Sequence, residues 1–158
     1  MRQPIGAWVA SALAIGFVLV GVACLAPASA GTFPGTNGSI AYTSTRGGDD
    51  EIFVADANGA NPVNITNTAD GQDGLASWSP DGTKIAYYSN RVGEFDVFVA
   101  DANGENPVNI TNSPDHYDAD PSWSPDGTRI AFNSNRTGDG EIFVADANGD
   151  NPVNITNS

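Results

Sequence analysis

SWSPDGTKIA, residues 77–86, returns 45 residues later as SWSPDGTRIA, residues 122–131. In the first copy Pro80 presets φ for a turn, Asp81 can bond its own backbone, and Gly82 supplies the positive φ that closes a hairpin. Aromatic and β-branched residues flank the turn on both sides, as is typical of paired strands. The stretch is therefore predicted to fold as strand, turn and strand.

The same spacing runs through the remaining sequence. Three further motifs occur three times each at this offset: Ile-Ala-Tyr/Phe at 40, 85 and 130, FVADANG at 53, 98 and 143, and NPVNIT at 61, 106 and 151. A repeat of this length with about four short strands is typical of a propeller blade rather than of a helical solenoid. The predicted fold class is all-β, with blades that are four-stranded antiparallel sheets.

Turn residues between apolar runs divide each repeat into strands. In the middle blade the predicted strands are Leu75–Ser79, Thr83–Ser89, Glu94–Asp101 and Val108–Thr111. The blades are predicted at 75–111 and 120–156, with a partial blade at 39–66 that lacks a convincing inner strand. Closed propellers typically have about four to eight blades, so the sequence predicts an incomplete ring.

Residues 1–30 lie outside the repeat and are predicted to be a signal peptide. Arg2 precedes an apolar run from Ala7 to Leu25, and Ala28-Ser29-Ala30 matches an A-x-A cleavage site. The mature chain is expected to span residues 31–158 in the periplasm or outside the cell. An uncleaved membrane anchor is the alternative, because the run approaches the roughly 18 residues of a spanning helix.

The charge of the predicted mature chain excludes some partners. All nineteen Asp and Glu residues lie beyond Ala30, against five of the six Lys and Arg residues, which leaves a net side-chain charge of −14. Neither nucleic acid nor an anionic membrane surface should attract such a chain. The single cysteine, Cys24, lies in the predicted signal peptide, so neither disulfides nor thiol chemistry is expected beyond it.

The repeat motifs resemble a known family. The core WSPDGT(K/R)IA(F/Y), followed by Ser-Asn-Arg and then EIFVxDANG, resembles the WD-like β-propeller repeats of the TolB type, and the resemblance covers about residues 33–158. It implies a propeller, and it implies envelope proteins as partners. The same repeats are similar to the propeller that gates certain serine peptidases.

The sequence offers no catalytic constellation. His116 is the single histidine, its neighbour Ser113 lies in the same loop, and no Gly-x-Ser-x-Gly elbow occurs. The expected function is therefore non-catalytic binding or scaffolding, with a protein or a carbohydrate as the partner. Two alternatives stay open: the propeller part of an exported peptidase or lactonase-like enzyme, and a truncated propeller product.

Specificity is expected at one end of the blades. The turns Ser-Pro-Asp-Gly and Asp-Ala-Asn-Gly are nearly constant at one end, whereas the loops at the opposite end vary. Four carboxylates of the variable loops, Asp70, Asp73, Asp115 and Asp118, are predicted to hold a cation such as calcium or to contact a basic partner. The alternative is that Arg46, Arg91 and Arg136 pair with carboxylates there. No other cofactor is predicted.

Assembly is predicted from the blade count. A blade buries its faces only against neighbours, so a stack of three should expose end faces with Ile52, Val54, Ile142 and Val144. Two chains of three blades would make six, which is within the usual range for a closed ring. The sequence therefore predicts a homodimer, or a part of a larger propeller.

Overall fold

The computed structural model describes residues 38–157, so the predicted signal peptide and its cleavage site lie outside the described residues. Within 38–157 all regular structure is β, in three antiparallel sheets. The first sheet holds β1 (Ser39–Ser44), β2 (Glu51–Asp56) and β3 (Val63–Asn64). The second holds β4 (Asp73–Trp78), β5 (Lys84–Ser89), β6 (Asp96–Asp101) and β7 (Val108–Asn109), and the third holds β8 (Asp118–Trp123), β9 (Arg129–Ser134), β10 (Glu141–Asp146) and β11 (Val153–Asn154). The predicted fold class is confirmed: the sheets are propeller blades, and they do not close into a ring.

The SWSPDGT hairpin has the predicted turn. The Gly82 amide donates to the Ser79 carbonyl at 2.9 Å, and one Asp81 oxygen accepts from the Ser79 hydroxyl at 2.6 Å and from the Thr83 amide at 3.0 Å. The third sheet repeats this turn, with Gly127 donating to Ser124 at 2.9 Å. The hairpin therefore brings β4 to β5, and β8 to β9, in the same way.

The innermost strand of each complete sheet contains a bulge that the sequence did not predict. Asp73 pairs with Ser89, two residues before the predicted start of the strand, and the register then shifts before Ser77 pairs with Ala86. Leu75 within the bulge has a φ of 49°, a conformation that a bulky aliphatic residue rarely adopts. Asp120 has the same conformation in β8. The predicted start at Leu75 was wrong because the bulge interrupts the period-two pattern.

The middle sheet is apolar on both faces, as predicted, because it lies between the other two. Alternate residues of β5 and β6 point to opposite sides, so Tyr87 and Phe98 join a buried cluster with Ile52 of the first sheet. On the other side, buried Val97 and Val99 join a cluster with residues of the third sheet: Ile130, Phe132, Phe143 and Ala145. These two clusters are the core of the described chain.

Glycine is required where a turn of one sheet contacts the backbone of the preceding sheet. Gly104 has a φ of 86°, and a Cβ atom there would lie 2.0 Å from the carbonyl oxygen of Ile65. Gly149 meets Ile110 in the same way at 2.2 Å. The equivalent Gly59 of the first sheet has open space around it.

The prediction for the outer faces needs one correction. Ile52 is fully buried, because its side of the first sheet packs against the second sheet, and Val54 is half-buried in the same cluster. Ile142 and Val144 lie on the outer side of the third sheet and are half-buried, and Ile155 is 58% exposed. Among residues 38–157 there is no helix of the length and hydrophobicity needed to cross a membrane.

Candidate functional site

The loops fall into two groups at opposite ends of the blades. At the end with constant turns, the Ala102 amide donates to the Thr83 carbonyl at 3.0 Å, which joins the DANG and SPDG turns. At the other end, Asp73 donates its amide to the carbonyl of Asp50, and Asp118 does so to Phe95, each at 2.7 Å. We call this second group, residues 45–50, 66–72, 90–95, 111–117 and 135–140, the variable end.

Two of the predicted site carboxylates lie buried at the variable end, each beside an arginine. Asp73 and Asp118 have no exposed surface. The Arg91 guanidinium donates to Asp73 at 3.1 Å, and that of Arg136 donates to the two oxygens of Asp118 at 3.2 and 3.0 Å. Each ion pair therefore binds the loop after the second strand of a sheet to the start of its first strand.

Each arginine also lies over aromatic rings and is oriented by a serine. The Arg91 guanidinium carbon is 4.9 Å from the ring centre of Phe98, and Ser89 accepts from its Nε at 2.9 Å. The third sheet repeats this arrangement, with Arg136 at 4.8 Å from Phe143. The stacked rings fix the planar guanidinium opposite the carboxylate.

The first sheet contributes a further buried carboxylate, Glu51, to this network. Thr68 donates its hydroxyl to Asp73 at 2.7 Å and its amide to Glu51 at 2.8 Å. Thr66 also donates its hydroxyl to Glu51. Burial raises the pKa of Glu51 above its ordinary value, and the nearby charge of Asp73 adds to the rise. Polar contacts therefore join the first sheet to the second at the variable end.

The other two predicted site residues are not part of the network. Asp70 and Asp115 lie exposed in the loops before β4 and β8, and Asp70 has a φ of 58°. The described part of the chain holds no group of three or more His, Cys, Asp or Glu side chains that could bind a metal ion. The four-carboxylate cation site stays a prediction, whereas the alternative of arginine–carboxylate pairs is observed for Arg91 and Arg136.

A cluster of three aromatic rings at the variable end is a feature that the sequence analysis missed. Tyr88 and Phe95 meet edge to face at 5.1 Å between ring centres, and Phe95 and Tyr117 do so at 5.5 Å. Tyr117 is 39% exposed, and Val92, in the loop that leads to Phe95, is 63% exposed. We call Tyr88, Phe95 and Tyr117 the aromatic cluster. It lies where the second sheet meets the third.

The signal for the aromatic cluster was present in the repeat. Phe95 stands where the other copies have Asp50 and Gly140, and Tyr117 stands where the preceding copy has Gln72. Neither change is required by the fold, because the other repeats form the same hairpins without these rings.

Exposed carboxylates lie close in the sequence to the rings of the aromatic cluster. Glu94, Asp115 and Asp120 are exposed in the same loops and at the start of β8. Burial raises the pKa of the Tyr88 hydroxyl, as do the charges of Tyr117, Asp50 and Asp120. The surface is thus a partly exposed aromatic centre inside an acidic rim, which is a common composition for a protein-binding surface.

Ser113 and His116 lie in the same loop but are not arranged as a catalytic pair. The Ser113 hydroxyl donates to the Thr111 carbonyl at 3.2 Å and accepts from Arg136 at 3.2 Å. A nucleophilic serine would instead donate its proton to the histidine ring. The serine therefore extends the ion pair of Arg136.

A cleft of about 540 Å³ lies between the second and third sheets at the end with constant turns. Its lining includes Val99, Ile110 and Trp123 as apolar side chains, with Lys84 and Asp126 among the polar ones. The Trp123 Nε1 atom is buried without a hydrogen-bond partner in the described chain. The cleft is distant in the blade from the aromatic cluster, because the two lie at opposite ends of the strands.

Comparison with known proteins agrees with the architecture. The TolB beta propeller domain family matches residues 39–158. A putative TolB from Agrobacterium tumefaciens is similar in structure, with a TM-score of 0.67 and 27% identity over 77% of this chain and 43% of that one. TolB from Acinetobacter baumannii has a TM-score of 0.62 and 24% identity, over 75% of this chain and 29% of that one.

A puromycin-hydrolyzing peptidase from Mycobacterium tuberculosis shares the fold alone, with a TM-score of 0.59 and 16% identity over 73% of this chain and 18% of that one. No curated protein matches the sequence. The chain spans less than half the length of each of these solved structures.

Proposed function

Because the chain belongs to the TolB β-propeller domain family, we propose that it is an exported, non-catalytic protein that binds a protein partner through the variable end. The aromatic cluster is the observation that carries this proposal. It is confined to one blade junction, it is partly exposed, and the other repeats fold without it.

The composition of the surface indicates the class of partner. Aromatic side chains at the centre of an interface supply much of the binding free energy, while a charged rim steers the approach and selects the partner. Here the rim is acidic, with Glu94, Asp115 and Asp120 exposed around the rings. The expected partner is therefore a protein with a basic surface around an apolar pocket that receives Tyr117.

Export and the absence of catalysis rest on different observations. The A-x-A site at Ala28-Ser29-Ala30 supports export, and it predicts a mature N-terminus at Gly31. The bonding of the Ser113 hydroxyl to Thr111 and Arg136 supports a non-catalytic role.

The test uses a partner that is first identified by cross-linking in the cell envelope and then purified. Tyr117→Ser should weaken the affinity for that partner at least about tenfold, because truncation of an aromatic hot-spot residue costs about 2 kcal/mol or more. Asp115→Asn with Asp120→Asn should mainly slow association at low salt. A partner whose affinity is unchanged by all three substitutions would overturn the proposal.

The matched control lies at the opposite end of the blades. Glu105 is exposed directly after the DANG turn of the second sheet, where its amide donates to the Asn103 side chain and its carbonyl accepts from the Asp101 amide. Glu105→Gln also removes a negative charge, but at the constant end of the blades. We expect the affinity for the partner and the association rate to stay unchanged.

A carbohydrate is the second candidate partner. Edge-to-face rings beside carboxylates can also stack on and hydrogen-bond a sugar. Titration with neutral oligosaccharides would distinguish the two, because a sugar site would depend on Tyr117 at any salt concentration, whereas a basic protein partner would bind more weakly as salt rises.

The predicted cation site can be tested in the same preparation. A calcium ion at all four carboxylates would need Asp73 and Asp118 to release their arginines. A rise in the melting temperature in millimolar calcium that Asp73→Asn abolishes would support the site. An unchanged melting temperature would leave Asp73 and Asp118 as partners of Arg91 and Arg136 alone.

Assembly with a second copy is also proposed. The outer side of the third sheet carries Val144 and Ile155 at the positions of Val99 and Ile110, which the second sheet buries against the third. Gly59 has open space where its equivalents contact the preceding sheet, so the first sheet of a second copy fits against Ile155. Light scattering of the exported chain should give a dimer that Ile155→Arg dissociates, and a folded wild-type monomer would contradict it.

A further inference from the structure

The first sheet ends in an unpaired edge strand, whereas a further strand covers the equivalent edge in the other two sheets. Its order β1-β2-β3 leaves β1 at the margin, whereas β4 covers β5 and β8 covers β9. Ile40 on this edge is 43% exposed, while its equivalents Ile85 and Ile130 are fully buried. Within residues 38–157 no strand pairs with that side of β1.

Arg46, in the loop after β1, lacks the partner that its equivalents have. In the complete sheets the covering strand supplies the carboxylate, Asp73 for Arg91 and Asp118 for Arg136. Arg46 has no carboxylate partner within the described residues, and its hydrogen bond is to the Tyr42 hydroxyl at 3.5 Å. Its guanidinium carbon is 5.9 Å from the Phe53 ring, farther out than in the complete sheets.

The sequence before β1 provides no carboxylate for this arginine. The first acidic residue of the chain is Asp49, and the position one 45-residue period before Asp73 is Ala28. A segment from the chain's own N-terminal side could therefore supply backbone hydrogen bonds to β1 but not the ion pair.

We propose that the edge of β1 and Arg46 together bind an extended segment of a partner protein that carries an Asp or Glu side chain. The segment would pair with β1 as a fourth strand, so that main-chain hydrogen bonds give affinity. The carboxylate would meet Arg46 over the Phe53 ring and give specificity, since charge-assisted pairs are the stronger hydrogen bonds.

The complete sheets define what the segment should look like. Asp73 and Asp118 are each followed five residues later by a tryptophan, Trp78 and Trp123, and these rings pack against the clusters between sheets. The acidic residue is therefore what the edge requires. An aromatic residue five positions later would lie beside Ile40, as Trp78 pairs with Ile85, on the side of the first sheet that faces no other sheet within residues 38–157. This site lies on the first sheet and is independent of the aromatic cluster at the junction of the second and third sheets.

A synthetic peptide tests the proposal directly. The probe is GQDGLASWSP, which copies residues 71–80, and its control carries the Asp73→Asn change. Calorimetry with the exported chain should give one binding site for the Asp peptide. The Asn peptide should bind at least about tenfold more weakly, because it lacks one charge-assisted hydrogen bond. Arg46→Gln should weaken binding of the Asp peptide by a similar factor and make the two peptides equivalent.

The matched control substitution is Arg129→Gln. Arg129 is exposed at the start of β9, at the opposite end of the blades, so the change removes the same charge without touching the β1 edge. We expect wild-type affinity from it. Failure of the Asp peptide to bind the wild-type chain, or equal affinity for wild type and Arg46→Gln, would overturn the proposal. Neither result bears on the Tyr117 test.

Discussion

The first and second sheets carry the same sequence pattern in different surroundings. Arg46 and Arg91 follow equivalent strands, but Arg91 meets a buried carboxylate from β4 and Arg46 lies exposed. Gly104 contacts the backbone of the neighbouring sheet, whereas Gly59 meets no atom within 4 Å. The repeat therefore encodes the strands of a blade, while much of the stability of each blade depends on its neighbours.

The largest expected difference concerns the two arginines. Arg91→Ala leaves the charge of Asp73 buried without its partner, and we expect a loss of about 4 kcal/mol in the free energy of unfolding. Arg46→Ala removes an exposed side chain and should cost less than about 0.5 kcal/mol. Urea denaturation of the two variants measures this, and equal losses would mean that Arg46 has a buried partner too.

The two glycines give the next largest difference. Alanine at a positive φ costs about 1 kcal/mol in either sheet. At Gly104 the new Cβ atom would also meet the Ile65 carbonyl, so Gly104→Ala should cost about 3 kcal/mol in all. Thermal denaturation of Gly59→Ala and Gly104→Ala would test this. These costs apply to the monomer, in which a large loss at Gly59 would contradict the comparison. In the proposed dimer Gly59→Ala should cost as much as Gly104→Ala, because a second copy would then contact Gly59.

The smallest expected difference concerns two buried acids at equivalent positions, Glu51 and Asp96. Asp96 accepts three hydrogen bonds, from Asn109, Thr111 and Ser113, at 2.8 to 2.9 Å. Glu51 is held by two donors, and burial raises its pKa above the ordinary 4.5. The folded chain therefore keeps the Glu51 proton to a higher pH than the unfolded chain.

The raised pKa of Glu51 in the folded chain decides the direction of the pH effect on stability. As pH rises from 4.5 through the raised pKa, the unfolded chain loses the proton first, so wild-type stability falls over this window. Glu51→Gln lacks this titration, so its melting temperature should rise relative to that of wild type as pH increases from 4.5 through the raised pKa. A constant difference across this range would contradict the assignment.

The sequence predicted the blades because their signals are local. The SPDG turn, the 45-residue period and the two-faced apolar strands of the middle sheet were all found as expected. The bulge at Leu75 was not predicted, because a φ of 49° is unusual for leucine, although Gly74 directly before it is a residue that often marks a bulge.

The site was less predictable because burial depends on the neighbouring sheet. In the sequence Asp70 and Asp73 look equivalent, because both precede the predicted strand at Leu75. In the structure Asp70 is exposed in a loop, whereas Asp73 is enclosed by Thr68 and Arg91. The sequence therefore predicted the pairing of arginines with carboxylates only as an alternative to a cation site. The aromatic cluster could have been found by comparing the repeats, since Phe95 replaces an aspartate and a glycine.

Hydrogen exchange of the protein tests most directly whether the first sheet is an open blade beside a closed one. Amides of β1, residues 39–44, should exchange about a hundredfold faster than those of β5, residues 84–89, because sheet edges with few buried contacts open at low free energy. Equal protection of β1 and β5 would contradict the account, since it would mean that a strand already covers the β1 edge.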